Sequence, residues 1–286
     1  MPATPPSPAV RNRGESASPA PEPKAADARS PYKRVLLKLS GEAFCAPGGM
    51  GIDPHELGMI AIEIKDAFQA AGGGAGGKPA AGGGGGGGGT GIQLAVVVGG
   101  GNFVRGAKFA KDAHIHQATA DHMGMLATIM NGLALKEALL HIGIDSRVMT
   151  AIDVRAVAEP FIRGRALRHM EKGRVVILVA GTGNPFCTTD TCAALRATEL
   201  ECELLLKATK VDGVYSADPK KDPKATRYES LTFAESIAKS LAVMDMTALA
   251  MCQENNIPVL VFDFKHKGNI RSVFEGQRLG TLITPP

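Results

Sequence analysis

Four stretches hold residue types able to grip phosphate. In YKRVLLKLSGE, Lys38 interrupts the apolar run Val35, Leu36, Leu37, Leu39 just ahead of Ser40 and Gly41. A charge there is costly unless it is paired or faces a site, so two readings stand: an ammonium aimed at a phosphate, or a strand-end lysine reaching for water. In VVVGGGNFVRG, Gly99, Gly100 and Gly101 precede Asn102 and Arg105. Consecutive glycines let backbone N–H groups approach an anion closely, and an arginine fork can close on phosphate oxygens. The competing reading is a tight turn that needs positive φ.

The third stretch, AGTGNPFCTTD, supplies hydroxyls at Thr182, Thr188 and Thr189 and an amide at Asn184, then opens a helix whose free N–H groups attract anions. An N-cap by Thr189 or Asp190 accounts for its end but not for the opening GTGNP. The fourth, KATKVDGVYSADPKKDP, gathers Lys207, Lys210, Asp212, Tyr215 and Asp218 after an apolar run. Its Asp-Pro pairs also read as turn formers, and Lys220, Lys221 and Lys224 as a solvated face. Asp121, near the start of a long apolar helix, is either a first-turn carboxylate favoured by the helix dipole or a ligand for substrate hydroxyls. The methionines at 123, 125 and 130 read as core filler, and His114, His116 and His122 form no convincing metal set with the cysteines.

One further stretch is a decoy. GGGAGGKP, residues 72–79, sets Gly72, Gly77 and Lys78 in the register of a phosphate loop, but Pro79 replaces the metal-binding hydroxyl. A phosphate loop follows a strand and opens a helix, whereas this segment follows a helix and runs into more glycine.

Apolar strands alternating with amphipathic helices must position these motifs. Strands are expected at 35–39, 94–98, 146–150, 175–180, 204–207, 259–263 and 281–283. Asp53 offers an N-cap, Pro54 suits the first helical position, and Glu56 completes a capping box for a helix to about Ala71. Further helices are expected at 121–141, 161–171 and 190–201, with two more behind them. The alternation implies right-handed crossovers and an α/β, three-layer αβα sandwich with a mostly parallel central sheet. Residues 1–31, rich in Pro, Ala and Ser, read as a disordered tail, 32–286 as one catalytic domain, and 72–91 as a flexible glycine insert.

Composition narrows the function. Hydrophobic residues make up 44% and charged residues 21%, and no apolar run reads as a bilayer span, so no membrane role is expected. A net charge of +4, no Trp and 5% aromatics argue against a nucleic-acid surface. Cys45, Cys187, Cys192, Cys202 and Cys252 lack paired C-x-x-C spacing and read as reduced thiols of a cytoplasmic protein.

In this order, YKRVLLKLSGEAF, VVVGGGNFVRG, ADHMGMLATIMNGLAL, VVILVAGTGNPFCTTDTCAALRA and LLKATKVDGVYSADPKKDP, with VMDMTALAM and GTLIT behind them, resemble the bacterial uridylate (UMP) kinases of the amino acid kinase superfamily. The resemblance covers about Tyr32 to Ile283 apart from the insert. It implies transfer of the γ-phosphoryl group of ATP to UMP in pyrimidine nucleotide biosynthesis, with Mg2+ carried by ATP and no fixed protein site for the metal. It assigns Lys38, Leu39, Ser40, Gly41, Gly101, Arg105, Thr209, Tyr215 and Asp218 to ATP, and Gly100, Asp121, Thr182, Gly183, Asn184, Pro185, Phe186, Cys187, Thr188 and Thr189 to UMP. Lys38, Arg105, Asp190 and Asp218 are implied to be catalytic, the two acids organising the lysines and metal. A homohexamer, activation by GTP and inhibition by UTP are implied as well, with Ala46, Pro47, Gly48, Gly49, Met50 and Gly51 in the GTP-response region. Lys136 stands where many relatives carry arginine, and Cys187 where an aromatic is common. Two alternatives remain: a sibling kinase acting on an amino acid or carbamate, and a nucleotide-sensing regulator that keeps the fold without catalysis. A Rossmann dehydrogenase is disfavoured because GGGNFVRG lacks the G-x-G-x-x-G register.

Overall fold

The computed structural model describes residues 30–74, 91–104, 114–219, 221–222, 224–241 and 243–285. The expected tail to residue 29, residues 75–90 of the insert with Gly77, Lys78 and Pro79, and Arg105 lie outside the described residues.

Strands β1 (Arg34–Leu39), β2 (Gln93–Val98), β3 (Ser146–Thr150), β4 (Glu159–Pro160), β5 (Val175–Val179), β6 (Leu204–Thr209), β7 (Ser230–Thr232), β8 (Val259–Asp263) and β9 (Thr281–Thr284) form one sheet in the order β4-β3-β5-β2-β1-β6-β8-β9-β7. The pairings are parallel except β8 with β9. Helices α1 (Pro54–Ala70), α2 (Gln117–His141) and α7 (Asn269–Phe274) cover one face, and α3 (Arg163–Glu171), α4 (Thr189–Glu199), α5 (Phe233–Ala238) and α6 (Met246–Glu254) the other.

The central strands are apolar without alternation because both faces are covered. In β1, Val35, Leu37 and Leu39 enter the core under α1, α2 and α7, while Leu36 enters the core under α3 to α6. Each of these side chains is fully buried, and each contributes about 1.5–3 kcal/mol by leaving water.

Two crossovers diverge from the middle of the sheet. From β2 the chain passes through α2 to β3, and from β5 it passes through α4 on the opposite face to β6. Such a divergence leaves a crevice at the carboxyl ends of the strands.

Three helix starts differ in detail from expectation. Asp53 caps α1 by accepting from His55 N and Glu56 N at 2.9 and 3.0 Å, but Glu56 turns away toward Lys265 Nζ at 3.7 Å and completes no capping box. Helix α2 begins at Gln117 rather than Asp121, so Asp121 stands in the second turn. Helix α4 is capped by Thr188, not by Thr189 or Asp190. The strands β4 and β7, with 2 and 3 residues, are too short to leave a periodic signal. At 25 residues, with an 18-residue stretch of mean hydropathy 1.2, α2 is long and apolar enough to span a bilayer, against expectation, yet it supplies Leu135 and Leu139 to the core.

The ends of the glycine insert meet. Ile92 N donates to Ala71 O at 3.1 Å, and a side chain on Gly91 would collide with the Gly72 carbonyl. The register of β1 with β2 is therefore set on either side of a loop that is already closed, and loop length alters stability only slowly. Deletion of residues 73–90 is expected to shift Tm by no more than about 2–4 °C, the equivalent of ~1 kcal/mol, and to leave activity intact. Thermal melts and initial rates check this; a folded but inactive deletion contradicts it.

Candidate active site

Lys38 and Lys207 are register partners on the adjacent strands β1 and β6 and project toward α4. Asp190, the second residue of α4, meets both: Lys38 Nζ lies 2.9 Å from Oδ1 and Lys207 Nζ 2.7 Å from Oδ2. Lys38, 9% exposed, does not reach for water. Its contact with Oδ1 is an ion pair outside hydrogen-bonding geometry, which leaves that oxygen without an aligned donor. Lys207 also donates to the Val243 carbonyl.

Burial pushes the Asp190 carboxyl up, but the Lys38 and Lys207 ammonium groups outweigh it and hold the group below the ordinary carboxylate range. Burial lowers Lys207, helped by the Lys38 charge and opposed by Asp190. Two buried ammonium groups thus stand side by side at the crevice, held by Asp190 and with the Asp245 charge also acting on Lys207.

The Gly99–Gly101 turn lies beside this cluster, at the end of β2. None of its three glycines has positive φ, so the tight-turn reading gives way to close approach. A Cβ on Gly99 would lie 2.7 Å from Gly41 N, one on Gly100 2.6 Å from Gly124 O in α2, and one on Gly41 2.4 Å from Gly101 N. A Cβ on Gly101 would meet nothing within 4 Å. The turn is thus wedged between β1 and α2 and open toward the crevice. Leu39, expected at ATP, keeps its side chain in the core and holds the turn by accepting from Gly99 N at 2.9 Å. Ser40 caps the short 3-10 helix Gly41–Phe44 without a side-chain bond.

A cavity of about 380 Å³ opens over the turn, lined by Gly100, Gly101, Asp121, Thr182, Asn184, Phe186, Cys187, Thr188 and Thr189, with Gln117 and Thr128 among its other walls. Asp121 does not cap α2. Its Oδ1 accepts from Gln117 Nε2 at 2.7 Å and its Oδ2 from Phe186 N at 2.8 Å, tying the loop after β5 to the helix. That loop is unusual: Ala180, Gly181, Gly183 and Phe186 all have φ between 58° and 82°, and Phe186 is 78% exposed. At Ala180 and Phe186, which are not glycine, this is strain of the kind that persists where surrounding contacts over-determine it and gathers at ligand sites. Thr182 Oγ1 accepts from Asn184 N at 3.2 Å, which folds the loop on itself. Gly183 and Pro185 belong to the loop without lining the cavity.

The Thr188 hydroxyl is committed to structure. It caps α4 by accepting from Asp190 N and Thr191 N at 3.0 and 3.2 Å, and donates to Asp245. Asp245 also accepts from Thr191 Oγ1 at 2.9 Å and caps α6 through Ala248 N, so one carboxylate locks the starts of two helices. Its charge reaches Lys207 as well.

The residues expected around ATP spread along the other side. Thr209 ends β6 and donates to Val211 O at 2.6 Å. The Tyr215 hydroxyl donates to Asp212 Oδ1 at 2.6 Å, which raises its pKa. Of the two acids expected to organise the lysines, Asp190 contacts both, whereas Asp218 stands in the exposed turn beyond β6, 4.0 Å from Lys221 Nζ. Lys210 pairs with Glu42 at 3.1 Å, joining that side to the 3-10 helix. In the Ala46–Gly51 segment, Met50 is 81% exposed and Gly51 exchanges bonds with Asn102. All five cysteines are free; burial pushes Cys192, Cys202 and Cys252 up to about 12, while Cys187 is exposed in the cavity wall.

Gln117, Thr128, Asn131 and Asp245 are the site residues that motif reading passed over. Thr128 and Asn131 had a signal, as polar residues inside the apolar stretch MLATIMNGLAL, and both prove buried.

An open, mostly parallel sheet with a cationic, glycine-walled crevice at its strand ends is a phosphate-handling α/β architecture. The chain belongs to the amino acid kinase family, whose sequence model matches residues 33–263. It is similar to the solved UMP kinase of Bacillus anthracis at 37% identity and a TM-score of 0.79, over 89% of this chain and 96% of that one. The UMP kinase of Ureaplasma parvum matches at 36% identity and a TM-score of 0.77, over 88% and 98% of the two chains. The uridylate kinase of Archaeoglobus fulgidus matches at 27% and 0.62, over 87% and 99%.

Proposed function

We propose that this chain is a UMP kinase, transferring the γ-phosphoryl group of ATP to UMP to give UDP and ADP. The observation that carries the reading is the 380 Å³ cavity between the glycine turn, Asp121 and the 182–189 loop, opening beside the buried lysines in a chain alike to UMP kinases over nearly its whole described length. UMP fills the cavity in this reading, with Asp121 accepting from nucleotide hydroxyls and its phosphate over Gly100. ATP approaches from the β1 and β6 side, its phosphates toward Lys38, Gly101 and the Thr209–Asp218 segment, with Arg105 in support.

The acceptor is a phosphate oxygen already ionised near neutral pH, so no general base is required. Transfer depends on holding two polyanions in line and on cations placed where charge builds up. Lys38 and Lys207 supply such charge, and Asp190 fixes both ammonium groups. Both Asp190 oxygens face those ammonium groups, so the carboxylate at the crevice centre offers a poor ligand for a divalent ion. Mg2+ belongs to the reading as an ion carried by ATP, where it would neutralise the β- and γ-phosphates.

A homohexamer under GTP activation and UTP inhibition is part of the proposal. Leu126, Met130 and Leu140, between 38% and 49% exposed along α2, support a self-association face. A cytoplasmic location and no nucleic-acid or membrane partner complete it.

Purified protein with MgATP is expected to turn over UMP in preference to CMP, dTMP, glutamate and aspartate, read as ADP and UDP formation. No turnover of UMP overturns the reading; binding of both nucleotides without turnover would mark a nucleotide sensor.

A further inference from the structure

The glycine turn is held by a pair of buried asparagines, Asn102 at its end and Asn131 in the middle of α2, which are 3% and 0% exposed. Asn131 Nδ2 donates to Gly99 O and to Asn102 Oδ1, each at 2.7 Å. Asn102 Nδ2 donates to Asn131 Oδ1 at 3.0 Å and to Gly51 O at 2.7 Å. Every amide hydrogen of the pair has a partner and each side-chain oxygen accepts from the other residue. The backbone partners are carbonyls, which fixes the orientation of both amides. Gly51 N returns a bond to Asn102 O at 2.9 Å, so the 46–51 loop, the turn and α2 meet at one point.

We propose that Asn131 is a positioning residue for phosphoryl transfer: through Asn102 and Gly99 it sets the height of the Gly99–Gly101 turn over the cavity, and through Asn102 it couples the 46–51 loop to that turn. Three observations carry this. The turn has no side chains of its own to anchor it. Gly99 and Gly100 touch backbone on two sides at distances that admit no Cβ. The pair links the turn to α2 by side-chain hydrogen bonds in a core where Met125, Ile129 and Leu135 pack, whereas the nearby buried Thr128 spends its hydroxyl on Met125 O and Ala180 N. The proposal rests on the reading of the cavity as the acceptor site.

The decisive variant is Asn131→Asp, which keeps the shape and changes the donors. A carboxylate accepts from Asn102 Nδ2 but sets a lone pair against both Gly99 O and Asn102 Oδ1. A protonated carboxyl restores one donor, and burial favours that neutral form. The native partners of Asn131 are neutral amides and carbonyls, so the native clamp itself does not titrate. At about pH 8, Asn131→Asp is expected to lose about 10- to 100-fold in kcat, the loss that an ångström of misplacement produces. Relative to the unchanged protein, that loss should shrink by about tenfold or more as pH falls to about 6 and the carboxyl takes its proton. Asn131→Leu, which cannot donate at any pH, should show the loss without the recovery. A pH-independent ratio for Asn131→Asp, or full kcat in either variant at about pH 8, overturns the proposal. If Asn131→Leu does not fold, the two pH arms of Asn131→Asp still decide. UMP turnover by the unchanged protein, run alongside, separates this outcome from failure of the acceptor-site reading.

Discussion

Exchanging Asp190 for asparagine is expected to lower kcat by about 10²–10³-fold and to destabilise the protein at the same time. The carboxylate is what keeps the Lys38 and Lys207 ammonium groups side by side in a buried crevice. Without it Lys38 loses its carboxylate and Lys207 retains the Val243 carbonyl and the Asp245 charge, a change of the kind that costs about 3–5 kcal/mol when one member of a buried pair is removed. Neutral asparagine cannot restore that balance, and its NH2 group adds donors where acceptors are needed. The same carboxylate predicts an acid limit. Its folded-state pKa lies below the ordinary value of 3.8, so the folded protein binds that proton less readily than the unfolded chain. The stability it provides is complete above the unfolded value and decays as pH falls through the lowered one. Urea unfolding from neutral pH down to about pH 3 should therefore show a steeper loss for the native protein than for Asp190→Asn. Equal acid slopes, or turnover by Asp190→Asn within tenfold of native, would remove Asp190 from its place at the centre of the site.

Lys38→Met should separate activity from stability in the opposite sense. It is expected to lose about 10²–10³-fold in kcat while melting at the native temperature or above. Methionine keeps an unbranched apolar stem, and the Lys207–Asp190 ion pair at 2.7 Å remains. Removing one member of a buried pair is costly where it strands the other charge, but here Asp190 keeps Lys207 at 2.7 Å, and Lys207 is relieved of the Lys38 charge that lowers its pKa. Sites kept for function commonly hold such unfavourable arrangements. Calorimetry with steady-state kinetics reads both quantities. A marked fall in Tm together with retained turnover would show that Lys38 serves the sheet rather than the phosphate.

The frame of the fold was legible because it depends on local pattern. Continuous apolar runs such as VVILV read directly as strands covered on both faces, and Asp53-Pro54 marked the start of α1 to the residue. The motifs at the strand ends were legible for a related reason, since glycine, lysine and threonine clusters after apolar runs are rare without a purpose. Partnerships across the sequence were not legible. Nothing in TTD reveals that Thr188 rather than Thr189 caps α4, because the choice is shared with Asp245, 57 residues away. Asp245 reads as an ordinary helix cap, and its second role appears once α4 and α6 lie side by side. Positive φ was the competing reading of GGGN, whereas glycine is required there by the nearness of Gly41 and Gly124, contributed by other elements. Asn131 stood out as an amide in an apolar helix, but its partners, 29 and 32 residues earlier, could not be read from the sequence.

The hydrogen bond from Ile92 N to Ala71 O has a mechanical meaning. A pull or push on the chain between them loads one backbone bond and the touching glycines at 72 and 91, at the far end of β2 from the Gly99–Gly101 turn. Length and composition in that interval are thereby insulated from the crevice. Nothing in that joint opposes a glycine tract that imitates a phosphate loop, because its two ends are tied to each other before β2 begins.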